Sequence, residues 1–252
     1  MKSLLYGLVF FFVSIQASAQ SEDANRAMKQ VFGEEVAVPG VYSFDKKVIM
    51  ELISEAPSEK ASRLTYAMHY KDDNTCVAMT PIQKGEGDGP VSMGTTVVDF
   101  NQMQMITFIE TNGSKMATVF PIQDDQITAG SALAQESPEF TPTGNEKEIL
   151  GYNCKEYKLK STKLKGKIWL AEGIDINLSK SFEALDLQFE MGDHGPEAEP
   201  KGFIMEFETT DKKSGEVTRM KVKEIDFQDR FQLSTEGYIF TSMPVVEEEH
   251  HE

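Results

Sequence analysis

The pattern that most constrains this chain is an alternation of period two that returns, run after run, between short turn signals. Leu64, Tyr66, Met68 and Tyr70 alternate with Thr65, Ala67 and His69. That is the mark of a strand with one buried face, because successive side chains point to opposite sides of a sheet. Phe203, Met205 and Phe207 repeat it against Ile204, Glu206 and Glu208. Asn112-Gly113 separates two such runs, 104–110 and 115–122. Both central residues of a type I′ turn need positive φ, so this pair predicts a hairpin. Lys71-Asp72-Asp73-Asn74 and Lys213-Ser214-Gly215 read as further turns. The remaining strand candidates are 41–54, 75–82, 95–100, 148–162, 165–172, 216–227 and 237–243. Within 216–227, Met220 and Val222 share a face, whereas Val217 on one side and Ile225 and Phe227 on the other fall out of phase. A bulge near each break would restore the pattern.

Two stretches read as helices instead. Ala24, Ala27, Met28, Val31 and Phe32 form one apolar stripe, and Leu178, Phe182, Leu185 and Phe189 a second. Short hairpin-like connections imply antiparallel pairing. A sheet of about ten strands must curl or close. The expected class is mainly β with α+β character: a curved antiparallel sheet, or half-barrel, of about ten strands covered by two helices.

The first residues carry a different message. Lys2 precedes an apolar run over 4–15, and Ala17-Ser18-Ala19 follows as a small-residue cleavage site. The run is shorter than the roughly 20 residues of a spanning helix. Residues 1–19 therefore read as a secretory signal peptide cleaved after Ala19, with a periplasmic or secreted product. No cysteine follows the site to take a lipid. The rest reads as one β-rich domain over 20–246 and a disordered acidic tail over 247–252, with no transmembrane segment and a monomeric state expected.

The formal net charge of −16 argues against nucleic acid and against docking on anionic membrane surfaces. It suits solubility or a basic partner. Cys76 and Cys154 are the two cysteines. Export permits a disulfide between them, and two buried thiols are the alternative.

Catalytic signatures are missing. There is no G-x-S-x-G nucleophile elbow and no C-x-x-C pair. His250 and His251 sit in the tail, His194 in a proline-bearing loop, and His69 reads as an outward-facing strand residue. Neither Asp72-Asp73-Asn74 nor the acidic glycine run at 85–89 follows a calcium-loop pattern. No metal, no cofactor and no enzymatic activity are expected. The methionines are spread over separate strands at apolar positions, which suits a core or an adaptable apolar pocket better than a copper site. Candidate pocket-lining residues are Tyr66, Met68, Met105, Phe108, Met116, Trp169, Phe203, Met205 and Phe207; plain core packing is the other role open to each.

Ile149-Leu150-Gly151-Tyr152, Cys154, Tyr157 and Trp169 form a recognisable text. Asp99-Phe100 before a Met-rich strand, Asp211 through Gly215, and Gly237-Tyr238 extend it over roughly 40–243. In these features the chain resembles a family of exported bacterial proteins, the domain of unknown function 4412. That family in turn resembles the superfamily of outer-membrane lipoprotein carriers, in which a curved half-barrel closed by helices holds acyl chains. Cys76 is not part of the pattern. The resemblance implies a protein that binds a lipid or another apolar small molecule. An envelope protein-interaction module without a small ligand is the alternative, and an unrecognised hydrolase the third reading.

Overall fold

The computed structural model describes residues 37–58, 60–82, 94–122, 139–176 and 202–242. Both expected helices, the signal peptide and the tail lie outside these residues. Within them the chain is built from strands: β1 (Val41–Ser43), β2 (Lys46–Glu55), β3 (Ser62–Tyr70), β4 (Cys76–Pro81), β5 (Thr95–Asp99), β6 (Gln104–Thr111) and β7 (Ser114–Pro121) in the first half. The second half holds β8 (Glu139–Ile149), β9 (Tyr152–Lys160), β10 (Leu164–Ala171), β11 (Phe203–Asp211), β12 (Val217–Asp226), β13 (Gln232–Ser234) and β14 (Ile239–Ser242).

Twelve of these strands form one open sheet in the order β14-β7-β6-β5-β4-β3-β2-β12-β11-β10-β9-β8. It is two meanders joined along one seam. Strands β2 to β7 pair in chain order, as do β8 to β12, and only the antiparallel β2–β12 pair links them. The pairing is antiparallel as expected, except that β14 runs parallel to β7 at one edge. β1 and β13 form a separate two-stranded ribbon.

The turns show how local chemistry sets the register. Asn112 and Gly113 both take positive φ, 52° and 78°, and Thr111 faces Ser114 across a two-residue loop. Leu150 and Gly151 do the same, at 55° and 84°, between Ile149 and Tyr152. The run 148–162 is therefore not a single strand: the chain reverses at Leu150-Gly151, and β8 and β9 pair. Likewise 41–54 breaks at Phe44-Asp45, where β1 leaves to meet β13. Of the two expected bulges, one appears, between Val222 and Glu224 in β12; Val217 stays in register with both Thr210 and Glu55.

Alternation divides the apolar side chains between two clusters. In β4 and β5, Val77 and Val98 join the main core, while Cys76, Ala78 and Val97 join the second, on the opposite face. The main core runs from Val48, Met50 and Met68 across Met220 and Phe207 to Ile168. Ile174 and Ile176, just after β10, pack into it. Lys46 anchors that segment, donating from its buried ammonium to the Asp175 carbonyl at 3.1 Å. The second core lies under the β1–β13 side: Ile106, Phe108, Ala117 and Val119 meet Tyr42, Phe44, Phe231 and Leu233.

Cys76 and Cys154 are both free, buried thiols. They belong to different clusters, and five strands of the sheet lie between β4 and β9. The disulfide weighed from the sequence is not formed.

Candidate binding groove

Cross-strand register carries the face of the second core into the other half of the sheet. Ala78 faces His69, and His69 faces Lys47. Two and four residues beyond Lys47–Ile49 on the same face come Glu51 and Ile53, opposite Lys221 and Arg219 of β12. Glu206 and Glu208 of β11 stand opposite these, and Trp169 and Lys167 of β10 opposite the glutamates. The face is thus apolar under the ribbon and charged from β2 to β8.

Most of this charge is paired in rows across the strands. Arg219 donates to Glu208 through Nε and to Glu55 through a terminal guanidinium nitrogen, at 2.7 Å each. Glu51 accepts from Arg63 and Lys223, both at 2.9 Å. Glu206 receives Lys221 at 3.0 Å and also Lys147. Burial pushes the Glu206 carboxyl upward, but the hydrogen bonds and charges of these two lysines outweigh it and leave it below the usual range. Lys147 also lies 4.2 Å from the centre of the Trp169 ring, a cation–π contact worth about 0.5–1 kcal/mol at an exposed site.

Two open depressions share this face. The larger, about 670 Å³, lies over β8 to β11, with the backbone of Leu159 and Gly166 in its floor and Lys158, Lys160, Lys165 and Lys167 around it; the Leu159 side chain itself packs into the main core on the other face. The smaller, about 290 Å³, is lined by Ile53 and Trp169 among the paired charges, with the strands at Phe207 and Met220 beneath it. Both are lined by Lys167 and Glu208, so they lie side by side along one groove. Gly166 lets β11 pass close behind it: a Cβ there would sit 2.1 Å from the Glu208 carbonyl oxygen.

The candidate residues read from the sequence are dispersed. Trp169 lines the smaller depression, and Phe207 borders it while packing into the main core. Met68, Phe203 and Met205 are packed inside the main core, and Phe108 inside the second. Tyr66 and Met105 flank the main core half-buried, and Met116 is half-buried in β7. The four lysines were not singled out from sequence, although K-x-K at 158–160 and again at 165–167 is visible there.

His69 corrects an expectation. It is buried, not outward-facing, and it stacks on Phe231 at 4.0 Å between ring centres. Its Nδ1 lies 2.7 Å from the Asp229 carboxylate. Burial lowers its pKa from the ordinary 6.5, against the opposing pull of Asp229. No group of three or more potential metal ligands occurs among the described residues.

The family model for the domain of unknown function DUF4412 matches residues 44–230, which contain all of β2 through β12. The chain belongs to this family. No curated protein sequence matches this DUF4412 chain. Among solved structures it is similar to PNGF-II, at 12% identity and a TM-score of 0.39 over 79% of this chain and 31% of that one. The chain thus spans about a third of the length of PNGF-II. It is also similar to a LolA superfamily protein from Nitrosomonas europaea, at 12% identity and a TM-score of 0.31, over 77% and 90% of the two chains. A DUF1329 family protein from Desulfovibrio piger aligns at 10% identity and a TM-score of 0.29, over 81% and 90%. Among the described residues no helix is long and apolar enough to cross a membrane.

Proposed function

We propose that this DUF4412 domain is an exported binding protein, without catalytic activity, that holds a lipid or similar amphiphile along the groove on its charged face. The observation that carries the reading is the shape and lining of that groove. A depression of about 670 Å³ falls in the range of small-molecule sites, roughly 300–1,000 Å³. Its floor is strand backbone at Leu159 and Gly166, Trp169 lies at its other end, and its walls are charged side chains whose methylene stems supply apolar surface. An amphiphile would bury its chain along the floor and leave its polar end among the charges.

The sheet edge nearest the groove favours this over an interaction module that recruits a partner strand. β8 carries Pro142 and a register break between Pro142 and Glu146 with Gly144 at positive φ. Proline and a bulge blunt an edge against strand addition. The test uses Trp169, the single tryptophan, as the reporter. Titration of the purified protein with lauroyl monoglyceride, a neutral amphiphile, should shift its emission saturably. Native mass spectrometry should show one bound molecule. A flat titration together with an unliganded mass would sink the proposal.

A further inference from the structure

The groove contains one place where the charge pairing stops. Lys158 and Lys160 of β9 stand directly opposite Lys167 and Lys165 of β10. All four are exposed on the larger depression, and none makes an ion pair with a described residue. Like charges directly opposite one another on paired strands are destabilising. Two such pairs stand side by side in a chain of net charge −16. Elsewhere on the same face Arg219, Lys147, Lys221 and Lys223 all have carboxylate partners.

The carboxylates nearest the four lysines are occupied or set aside. Glu208 is held by Arg219. Glu156 accepts from Asn145 at 2.7 Å and from Thr143 at 3.0 Å, and feels the charge of Lys167 without an ion pair to it. Glu139 faces Lys160 across β8 and β9 without an ion pair. Thr141 and Thr210 add hydroxyl donors at the two sides of the depression.

We infer that these four lysines form a binding site for a multiply charged oxyanion of phosphate type, which supplies the negative charge that they lack among the described residues. The inference deepens the proposed function: it assigns the polar end of the ligand to β9–β10 and the chain to the Trp169 side. The ammonium groups are point charges on flexible stems, suited to phosphate oxygens without a fixed geometry. Exposure makes the interaction sensitive to salt.

The experiment compares the wild-type protein with the variant K158Q/K160Q/K165Q/K167Q, using calorimetry and Trp169 emission at low salt. The probes are pyrophosphate, dihexanoyl phosphatidic acid and lauroyl monoglyceride. The variant removes only exposed charges, and its thermal unfolding checks that it folds. The wild type should bind pyrophosphate and, more tightly, dihexanoyl phosphatidic acid, with affinity falling as salt rises. The variant should lose about tenfold or more for both. Equal wild-type affinity for the two would support a free oxyanion as ligand and remove the lipid source. No pyrophosphate or phosphatidic acid binding by the wild type, or binding unchanged in the variant, would overturn the site. Monoglyceride binding that survives in either case leaves the amphiphile groove standing; pyrophosphate binding without any monoglyceride binding does the reverse.

Discussion

The Asp229 carboxylate lies 2.7 Å from Nδ1 of His69, whose ring stacks on Phe231, and accepts the Nδ1 hydrogen. Asp229 sits in the link from β12 to β13, and His69 in β3, so the contact ties the ribbon to the sheet. The folded His69 pKa lies below 6.5 because burial outweighs the carboxylate. Between the folded value and 6.5 the unfolded chain binds a proton that the folded chain does not. Stability therefore falls as the pH drops through that window. Thermal unfolding at stepwise lower pH should show this loss, and His69→Phe should flatten that part of the curve. A wild-type stability that rises on acidification below 6.5 would contradict the sign.

Leu150 occupies the first central position of a type I′ turn at φ 55°, where Asn112 sits in the β6–β7 turn. A left-handed conformation costs a β-carbon residue about 1–2 kcal/mol, and asparagine much less. Leu150 is also 48% exposed, so its removal forfeits little packing. Leu150→Asn should stabilise the domain by about 1 kcal/mol in denaturant unfolding. No gain would mean that the Leu150 side chain is held by something outside the described residues.

Gly166 should tolerate no side chain. A methyl group there meets the Glu208 carbonyl oxygen at 2.1 Å and the Thr209 Cα at 2.9 Å, both backbone. Gly166→Ala should cost about 1–3 kcal/mol through displacement of β11 from β10. An alanine variant as stable as the wild type would refute the close approach.

The two cysteines should behave as inert core thiols. Burial first, and then the charge of Asp99, push the Cys76 thiol up to about 12; burial also raises that of Cys154. At neutral pH neither should react with a thiol reagent until the protein is unfolded, when both should. Two thiols found missing after denaturation without reductant would show a bridge instead.

What the sequence revealed follows from how locally each feature is written. Asn112-Gly113 and the Asp211 turn are spelled out within four residues: Asp211 accepts from the backbone N–H groups of Lys213 and Ser214, and Gly215 supplies positive φ. Leucine does not announce a left-handed turn, so the reversal at Leu150 is not legible, and the candidate 148–162 takes in β9 and only the last two residues of β8. β13, at three residues, is too short to show a period. Strand direction leaves no trace in alternation, which is why the parallel β14–β7 pair was not foreseen. Alternation puts His69 on the face opposite Met68 and Tyr70, but the ribbon that buries that face depends on contacts between residues far apart in the chain. The same holds for the groove. Each K-x-K is legible, yet only the β9–β10 register shows that four lysines meet.

The seam between β2 and β12 has a consequence for how the molecule comes into being. Each meander can assemble from contacts between chain neighbours, which are quick to form. The seam cannot, since β2 emerges near the start of the chain and β12 close to its end. A polypeptide delivered N-terminus first therefore presents β2 as a bare, sticky margin until nearly all of it has arrived. β1, which waits for β13, and β7, which waits for β14, share that delay.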